Sequence, residues 1–209
     1  MKLLLIRHGA TPGNLEKRYV GTTDESLTQE SLETLGKEAK KIRKLAGKPA
    51  AIITSPMKRC LETAETLFPE HDYPQVPRVR VEDLSECDFG EFENKNYKEL
   101  SGNQDYQRWI DSNGTLPFPG GESREAFKHR SLTGFQKAVT QCIRNNIKTA
   151  ALVIHGGTIM NIMEEYADRP RAFYEWHVKN GGGYLAELEP WLWQKGRREL
   201  CVREAYMEG

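Results

Sequence analysis

The sequence has no excess of either charge: Lys plus Arg and Asp plus Glu number 30 each, for a formal net charge of zero. A neutral chain sets up no global field toward nucleic acid or an anionic membrane, so affinity for anions has to come from positive groups concentrated locally. Neither nucleic acid nor membrane is an expected partner. Long apolar runs are missing too. The opening MKLLLIRHGA holds only Leu3 to Ile6 before Arg7 interrupts it, whereas a secretory leader needs about 7–15 apolar residues and a membrane span about 20. The run reads instead as a buried first strand. Cysteine is sparse and scattered: Cys60, Cys87, Cys142 and Cys201 show no CxxC or Cys/His ligand spacing. In a chain this large that favours reduced, buried thiols over a disulfide scaffold or a zinc site, and a cytoplasmic setting is expected. Repeats, low-complexity stretches and a dividing linker are absent as well. The 209 residues therefore read as one domain, long enough to bury a substantial core.

What is present is an alternation of strand and helix signals. Lys2 to Arg7 (KLLLIR) is a continuous apolar run, as in a strand covered on both faces. Between Thr28 and Ala46, Leu32, Leu35, Ala39, Ile42 and Leu45 recur at helical spacing, with Gly47 and Pro49 as the stop. Ala50 to Thr54 (AAIIT) reads as a second strand. Pro56 suits the first position of a helix that carries Leu61, Ala64 and Leu67 and breaks at Pro69. Val76 to Val81 is a short strand, and a helix is expected around Tyr97 to Trp109. A long helix from Glu122 to Asn146 buries Phe127, Phe135, Ala138, Cys142 and Ile143. Thr149 to Ile154 (TAALVI) is a further buried strand, and Gly156 and Gly157 open a helix running through Tyr166. Tyr184 to Leu188 and Leu200 to Ala205 are the final strands. This order predicts an α/β fold with a mostly parallel sheet and helices on both faces, its ligand bound beyond the carboxyl ends of the strands.

Three clusters of reactive side chains fall at or just after such strand ends. In the first, Arg7, His8 and Gly9 precede Thr11 and Asn14: the guanidinium offers a planar fork of donors suited to phosphate, and the glycine allows close approach and positive φ. In the second, Arg59 follows Ser55, Pro56, Met57 and Lys58, in the first turn of a helix whose unpaired N–H groups favour an anion. In the third, His155 precedes Gly156, Gly157 and Thr158 at the mouth of another helix. Taken singly, each looks like an ordinary surface turn, a solvated arginine or a structural histidine. Two histidines, each ending an apolar strand and followed by glycine, are harder to assign to structure alone. A fourth stretch, Leu84 to Gly90, is rich in carboxyl groups, one of which with a raised pKa would serve to protonate a leaving oxygen. Glu82, Asp83, Glu86, Asp88, Glu91 and Glu93 compete for that role, and chemistry alone does not choose among them.

The segments RHGATPGN, GTTDESLT, TSPMKRCLETA, LSECDFGEFE, PGGES and HGGTIM occur in this order across residues 5–160. As an ordered set they resemble the histidine phosphatase (phosphoglycerate mutase-like) superfamily. The resemblance implies a three-layer α/β/α sandwich around a mixed sheet, with a small cap insertion near residues 85–123 that selects the substrate. It implies His8 as the nucleophile, Glu86 as the proton donor, and Arg7, Arg59 and His155 as the phosphate clamp. Asn14 matches a further polar contact, and Gly156 matches the residue whose backbone N–H faces the phosphoryl group. No metal or cofactor is implied, because the cationic clamp carries the charge.

Some positions depart from the family pattern. Ala10 stands where many members have Glu, Ser31 at a commonly glycine site and Thr34 at a commonly glutamine site. These departures are expected to bear on the rim and on substrate choice. The stretch after Gly90 also lacks the common Trp-Glu-Gly form. The expected partner is a small-molecule phosphate ester, and the protein is expected to be a monomer or homodimer. ECDFGEFE with PFPGGES is most similar to the α-ribazole-5′-phosphate phosphatases of cobalamin nucleotide-loop synthesis. The alternatives are a broad-specificity sugar or nucleotide phosphatase, a phosphoglycerate mutase, a non-catalytic phosphoryl-binding protein, and a metal-dependent hydrolase, which activity unaffected by EDTA would remove.

Overall fold

A computed structural model describes residues 1–206. Its strands are β1 (Lys2–Arg7), β2 (Ala51–Thr54), β3 (Arg78–Arg80), β4 (Thr149–Ile154), β5 (Gly183–Glu187) and β6 (Cys201–Tyr206), joined in one sheet of order β3-β2-β4-β1-β5-β6. Its helices are α1 (Pro12–Leu15), α2 (Gln29–Ala46), α3 (Lys58–Leu67), α4 (Gln104–Asp111), α5 (Arg124–Arg144), α6 (Gly156–Tyr166) and α7 (Pro190–Gln194). Short 3₁₀ turns cover Glu82–Leu84, Gly90–Phe92 and Phe173–Trp176. Strands β3, β2, β4 and β1 run parallel, while β5 and β6 are antiparallel to their neighbours, which makes the sheet mixed but mostly parallel.

The continuous apolar runs have a simple cause. Alternate residues of a strand face opposite sides of the sheet, and both sides are covered. Leu3, Leu5, Leu152 and Ile154 pack with Phe135, Val139, Ile159 and Ile162 from α5 and α6. Leu4, Ile6, Ile52 and Val153 pack on the other side with Leu35, Ile42, Ala64 and Leu67 from α2 and α3. The result is the three-layer α/β/α sandwich. No helix among the described residues is long and apolar enough to cross a membrane.

Element boundaries follow local chemistry. Thr28 caps α2 by accepting the Ser31 N–H at 3.2 Å, and Gly47 ends it at φ 80°. Pro56 lies before α3 rather than in it, since the helix starts at Lys58 behind Met57. The helix expected from Tyr97 begins only at Gln104. Gly102 at φ 83° breaks the earlier turn, and Asn103 caps α4 through the Asp105 and Tyr106 N–H groups at 2.8 and 3.0 Å. Helix α5 starts behind its Ser123 cap rather than at Glu122, and Ile143, near its end, is only half-buried. The shortest elements, α1, α7 and the 3₁₀ turns, are too brief for a hydrophobic period to announce them.

The cap region is built from rings. Tyr19, Phe89, Phe92, Tyr106, Trp109 and Phe118 meet in edge-to-face and stacked pairs with centroids 5.0–6.3 Å apart. Phe92 is fully buried, whereas Tyr97 is 54% exposed and stands apart from this cluster.

Candidate active site

Strand β4 lies between β1 and β2, so the carboxyl ends of all three open side by side. His8 follows β1, Ser55 follows β2 and His155 follows β4, and this adjacency brings residues 7, 8, 59 and 155 together. The His8 and His155 ring centroids are 5.1 Å apart. Arg59 reaches up from α3 to place Nε 3.3 Å from His155 Nδ1.

Hydrogen bonds fix the state of each imidazole. His8 Nδ1 lies 2.7 Å from the Gly9 carbonyl, which only accepts, so Nδ1 carries the proton. Among the described residues the Nε2 lone pair has no hydrogen-bond partner. His155 Nδ1 accepts from Arg59, so its Nε2 donates to Ser55 Oγ at 2.7 Å. Burial and the neighbouring Arg59 hold both histidines well below their ordinary pKa, and both are neutral at pH 7.

The two arginines have unusual company. Arg59 is fully buried, and its donors go to the carbonyls of Thr23 at 2.7 Å and Gly21 at 2.8 Å rather than to a carboxylate. Arg7 donates from Nη1 to the Val178 carbonyl at 2.7 Å and to His177 Nε2 at 3.2 Å, and its buried Nε has no partner among the described residues. A buried guanidinium without an acidic partner is a costly arrangement unless an anion completes it.

Glu86 faces this cationic floor. Its carboxylate accepts the Cys87 N–H at 3.1 Å and the Gly157 N–H at 3.1 Å. Burial raises its pKa above the ordinary carboxyl range, against the opposing pull of those N–H groups and of Arg59 and Arg7. It is the single carboxylate among the residues lining a cavity of about 350 Å³. Arg7, Gly156, Gly157 and His177 share that lining, and its walls are Tyr19, Phe89, Trp109, Phe118, Phe127 and Phe173. Gly156 begins α6 and lies against Arg7: a Cβ there would meet the guanidinium at 3.2 Å. His8, Arg59, His155 and Asn14 are not part of that lining; Asn14 Oδ1 accepts the Thr11 N–H at 3.2 Å and Asn180 Nδ2 at 3.1 Å.

Several supporting residues were not legible as such. Asn180 Nδ2 ties the His8 and Gly9 carbonyls at 3.2 and 3.3 Å, and Thr63 Oγ1 accepts the Gly9 N–H at 2.9 Å. Ser31 acts at the loop that follows β1 rather than at a rim: it is buried, and its hydroxyl accepts the Ala10 N–H at 2.7 Å. Thr34 is exposed. Gly9 is demanded by space, not by positive φ, since a Cβ there would fall 2.4 Å from Ser31 Oγ. His177 carried no strand-end signal, because it follows an irregular turn. Among the described residues no cluster of His, Cys, Asp or Glu is arranged to hold a metal ion.

The model of the histidine phosphatase superfamily (branch 1) matches residues 3–197. The chain belongs to that superfamily. A 2,3-bisphosphoglycerate-dependent phosphoglycerate mutase of Gloeobacter violaceus is 31% identical over 168 residues, covering 78% of this chain and 74% of that protein. A broad-specificity phosphatase of Saccharomyces cerevisiae is 26% identical over 165 residues, covering 78% and 69%. The crystal structure of an α-ribazole phosphatase from Shigella flexneri superposes with a TM-score of 0.81 at 20% identity, covering 98% of this chain and 96% of that one, a likeness of fold. As a histidine phosphatase, the chain is an enzyme of the phosphatase class.

The buried neutral histidines make stability depend on pH in a defined direction. In the unfolded chain they titrate near about 6.5, whereas in the fold His8 and His155 stay neutral to well below that. As pH falls below the unfolded value, the unfolded state gains protons that the fold does not, and stability drops. The expected slope is about 1.4 kcal/mol per pH unit for each histidine. Urea denaturation between about pH 7.5 and about pH 5.5, in buffer free of phosphate and sulfate, should show this loss. A His8→Asn, His155→Asn double variant should show a clearly shallower one.

Proposed function

We propose that this phosphatase hydrolyses small-molecule phosphate monoesters through a phosphohistidine on His8. One observation carries the reading: two guanidiniums without carboxylate partners and two neutral imidazoles meet at adjacent strand ends, opposite one carboxyl group of raised pKa. The phosphoryl group sits against the free Nε edge of Arg7 and the Gly156 N–H, beside the charge of Arg59; His155 donates once its Nε2 exchanges Ser55 Oγ for a phosphoryl oxygen, and Asn14 offers its Nδ2. These groups neutralise charge on the equatorial oxygens as it spreads in the transition state. The His8 Nε2 lone pair attacks phosphorus in line, the P–O bond breaks, and Glu86 gives its proton to the leaving oxygen. As carboxylate, Glu86 then takes a proton from the water that cleaves the P–N bond, which releases phosphate and restores both groups.

For the ester itself, the finer reading is α-ribazole 5′-phosphate. The cavity supports a ring-bearing alcohol, because aromatic faces line it beyond the phosphate end. A broad-specificity sugar or nucleotide phosphatase uses the same walls less selectively. Mutase chemistry is favoured by the sequence likeness to the Gloeobacter enzyme. The cavity speaks against it: Arg124 is the one Arg or Lys besides Arg7 in the lining, and it is paired with Glu164 at 3.4 Å. A bisphosphate has no second uncompensated cation there.

The test is phosphate release from a panel containing α-ribazole 5′-phosphate, nucleoside monophosphates, sugar phosphates and 3-phosphoglycerate, with and without EDTA. Ring-bearing esters should exceed 3-phosphoglycerate in kcat/KM by about tenfold or more, the scale of a few apolar contacts. Mutase turnover in the presence of 2,3-bisphosphoglycerate that outpaces phosphate release would replace this reading with the mutase one.

A further inference from the structure

No step of the proposed reaction falls to Glu122 or Arg130, yet every donor of that arginine is committed. Arg130 projects from α5, and Glu122 stands just ahead of the Ser123 cap of the same helix. They meet as a bidentate pair, Nε to Oε1 at 2.9 Å and Nη2 to Oε2 at 2.6 Å. The remaining guanidinium hydrogens all go to one loop. Nη1 donates to the carbonyls of Asp83 at 3.1 Å and Ser85 at 3.0 Å, and Nη2 donates to the Glu86 carbonyl at 3.1 Å. Glu122 Oε2 completes the arrangement by accepting the Asp88 N–H at 3.0 Å. Four main-chain groups on residues 83–88 thus hang on a single partly buried ion pair, and Glu86 sits among them.

The reach of the Glu86 carboxyl depends on this loop. Among the described residues its own oxygens are held by the Cys87 and Gly157 N–H groups alone, so the path of the main chain decides where the side chain starts. A planar guanidinium presents five donors in a rigid fork, which fixes several carbonyls at once; a lysine ammonium does not. Arg130 also lies over the Phe127 ring, 5.4 Å from its centroid, and Phe127 lines the cavity. The pair therefore ties the carboxyl-bearing loop to the cavity wall as well as to α5.

We infer that Glu122 and Arg130 are positioning residues that set the distance between the Glu86 carboxyl and the leaving oxygen. The inference rests on the reading of Glu86 as the proton donor. It has a signature that loss of structure alone lacks. A p-nitrophenolate leaves readily without a proton, whereas an alkoxide does not, so a misplaced acid penalises alkyl esters selectively.

The experiment compares kcat/KM for p-nitrophenyl phosphate and 2-phenylethyl phosphate in Arg130→Lys, Arg130→Met, Glu122→Gln and Glu86→Gln, with circular dichroism and melting curves for each. The value of kcat/KM reports the steps through departure of the leaving group, whichever later step limits kcat. Arg130→Met should lose about 10- to 100-fold on the alkyl ester, the scale of a catalytic group misplaced by about an ångström, and less than about threefold on the aryl ester. Glu122→Gln should do the same to a smaller degree, and it stands in should Arg130→Met fail to fold. In a Glu86→Gln background, Arg130→Met should add no further selectivity, because the group it positions is gone. Equal losses on both esters, or none on either, while Glu86→Gln remains selective, would overturn the positioning role alone. A Glu86→Gln enzyme that handles the alkyl ester as well as wild type would instead remove the proton-donor reading on which the inference stands.

Discussion

Replacing His8 with alanine is expected to lower kcat/KM for any phosphate monoester by at least about 10⁴-fold, the scale seen when a covalent nucleophile is lost. The chemical reason is specific to the ring's hydrogen bonds. With Nδ1 committed to the Gly9 carbonyl, Nε2 is a lone pair on a ring that burial and Arg59 keep neutral. No nearby side chain supplies an equivalent. His155 has its Nδ1 turned to Arg59 and its Nε2 to Ser55, and Cys60, though 3.6 Å from His155, has its thiol pushed up to about 12 by burial. Rapid quench of wild type with an activated aryl phosphate should trap an acid-labile phosphoryl adduct by intact mass, and His8→Ala should show none. Residual turnover above about one part in a hundred in clean protein would exclude His8 as the nucleophile. The variant should remain folded, because deleting a neutral ring leaves no unpaired charge behind.

Arg59→Met should cost about 10³-fold in kcat/KM, the loss expected when a preorganised charge is withdrawn from a transition state. It should also uncouple the fold from its anion. Wild-type protein is expected to gain thermal stability from inorganic phosphate by mass action, and Arg59→Met should gain little. Two effects on the unliganded fold oppose each other. The carbonyls of Gly21 and Thr23 lose their donors, at about 1–3 kcal/mol for each unsatisfied group, while a buried cation without a carboxylate partner is removed. Arg59→Lys is not a rescue, since an ammonium cannot serve those carbonyls and His155 together. A melting temperature equally responsive to phosphate in wild type and Arg59→Met would show that the anion binds elsewhere.

Much of this was legible in the residues. The strands that carry His8 and His155 are buried on both faces, so their runs are apolar throughout and end abruptly at the reactive side chain. Helical spacing placed α2 and α5 to within two residues, because their core faces are long, and the glycine pair after β4 marked the start of α6. Glu86 was different: it and five neighbouring carboxyl groups looked alike, and only the ordered motifs separated it from them. Its distinction is three-dimensional, set by the Gly157 N–H and by burial. The same holds for His177, Asn180, Ser31 and Arg130, whose partners lie far along the chain and leave no periodic trace. The cap helix was placed too early because the Gly102 turn outweighs the helical preference of the residues before it.

The position of β4 has a consequence for how the protein comes into being. Strands β1 and β2 share no hydrogen bond; β4, contributed by residues 149–154, is the wedge that joins them. A nascent chain that has emerged only as far as α5 already contains His8, both arginines and Glu86, yet lacks the strand that sets β1 beside the β2–β3 pair. Assembly of the site therefore waits on a pairing of large sequence separation, the slow kind in folding. During synthesis this enzyme carries its reactive groups for most of its length before they can meet, and catalytic competence arrives in one late event rather than by increments.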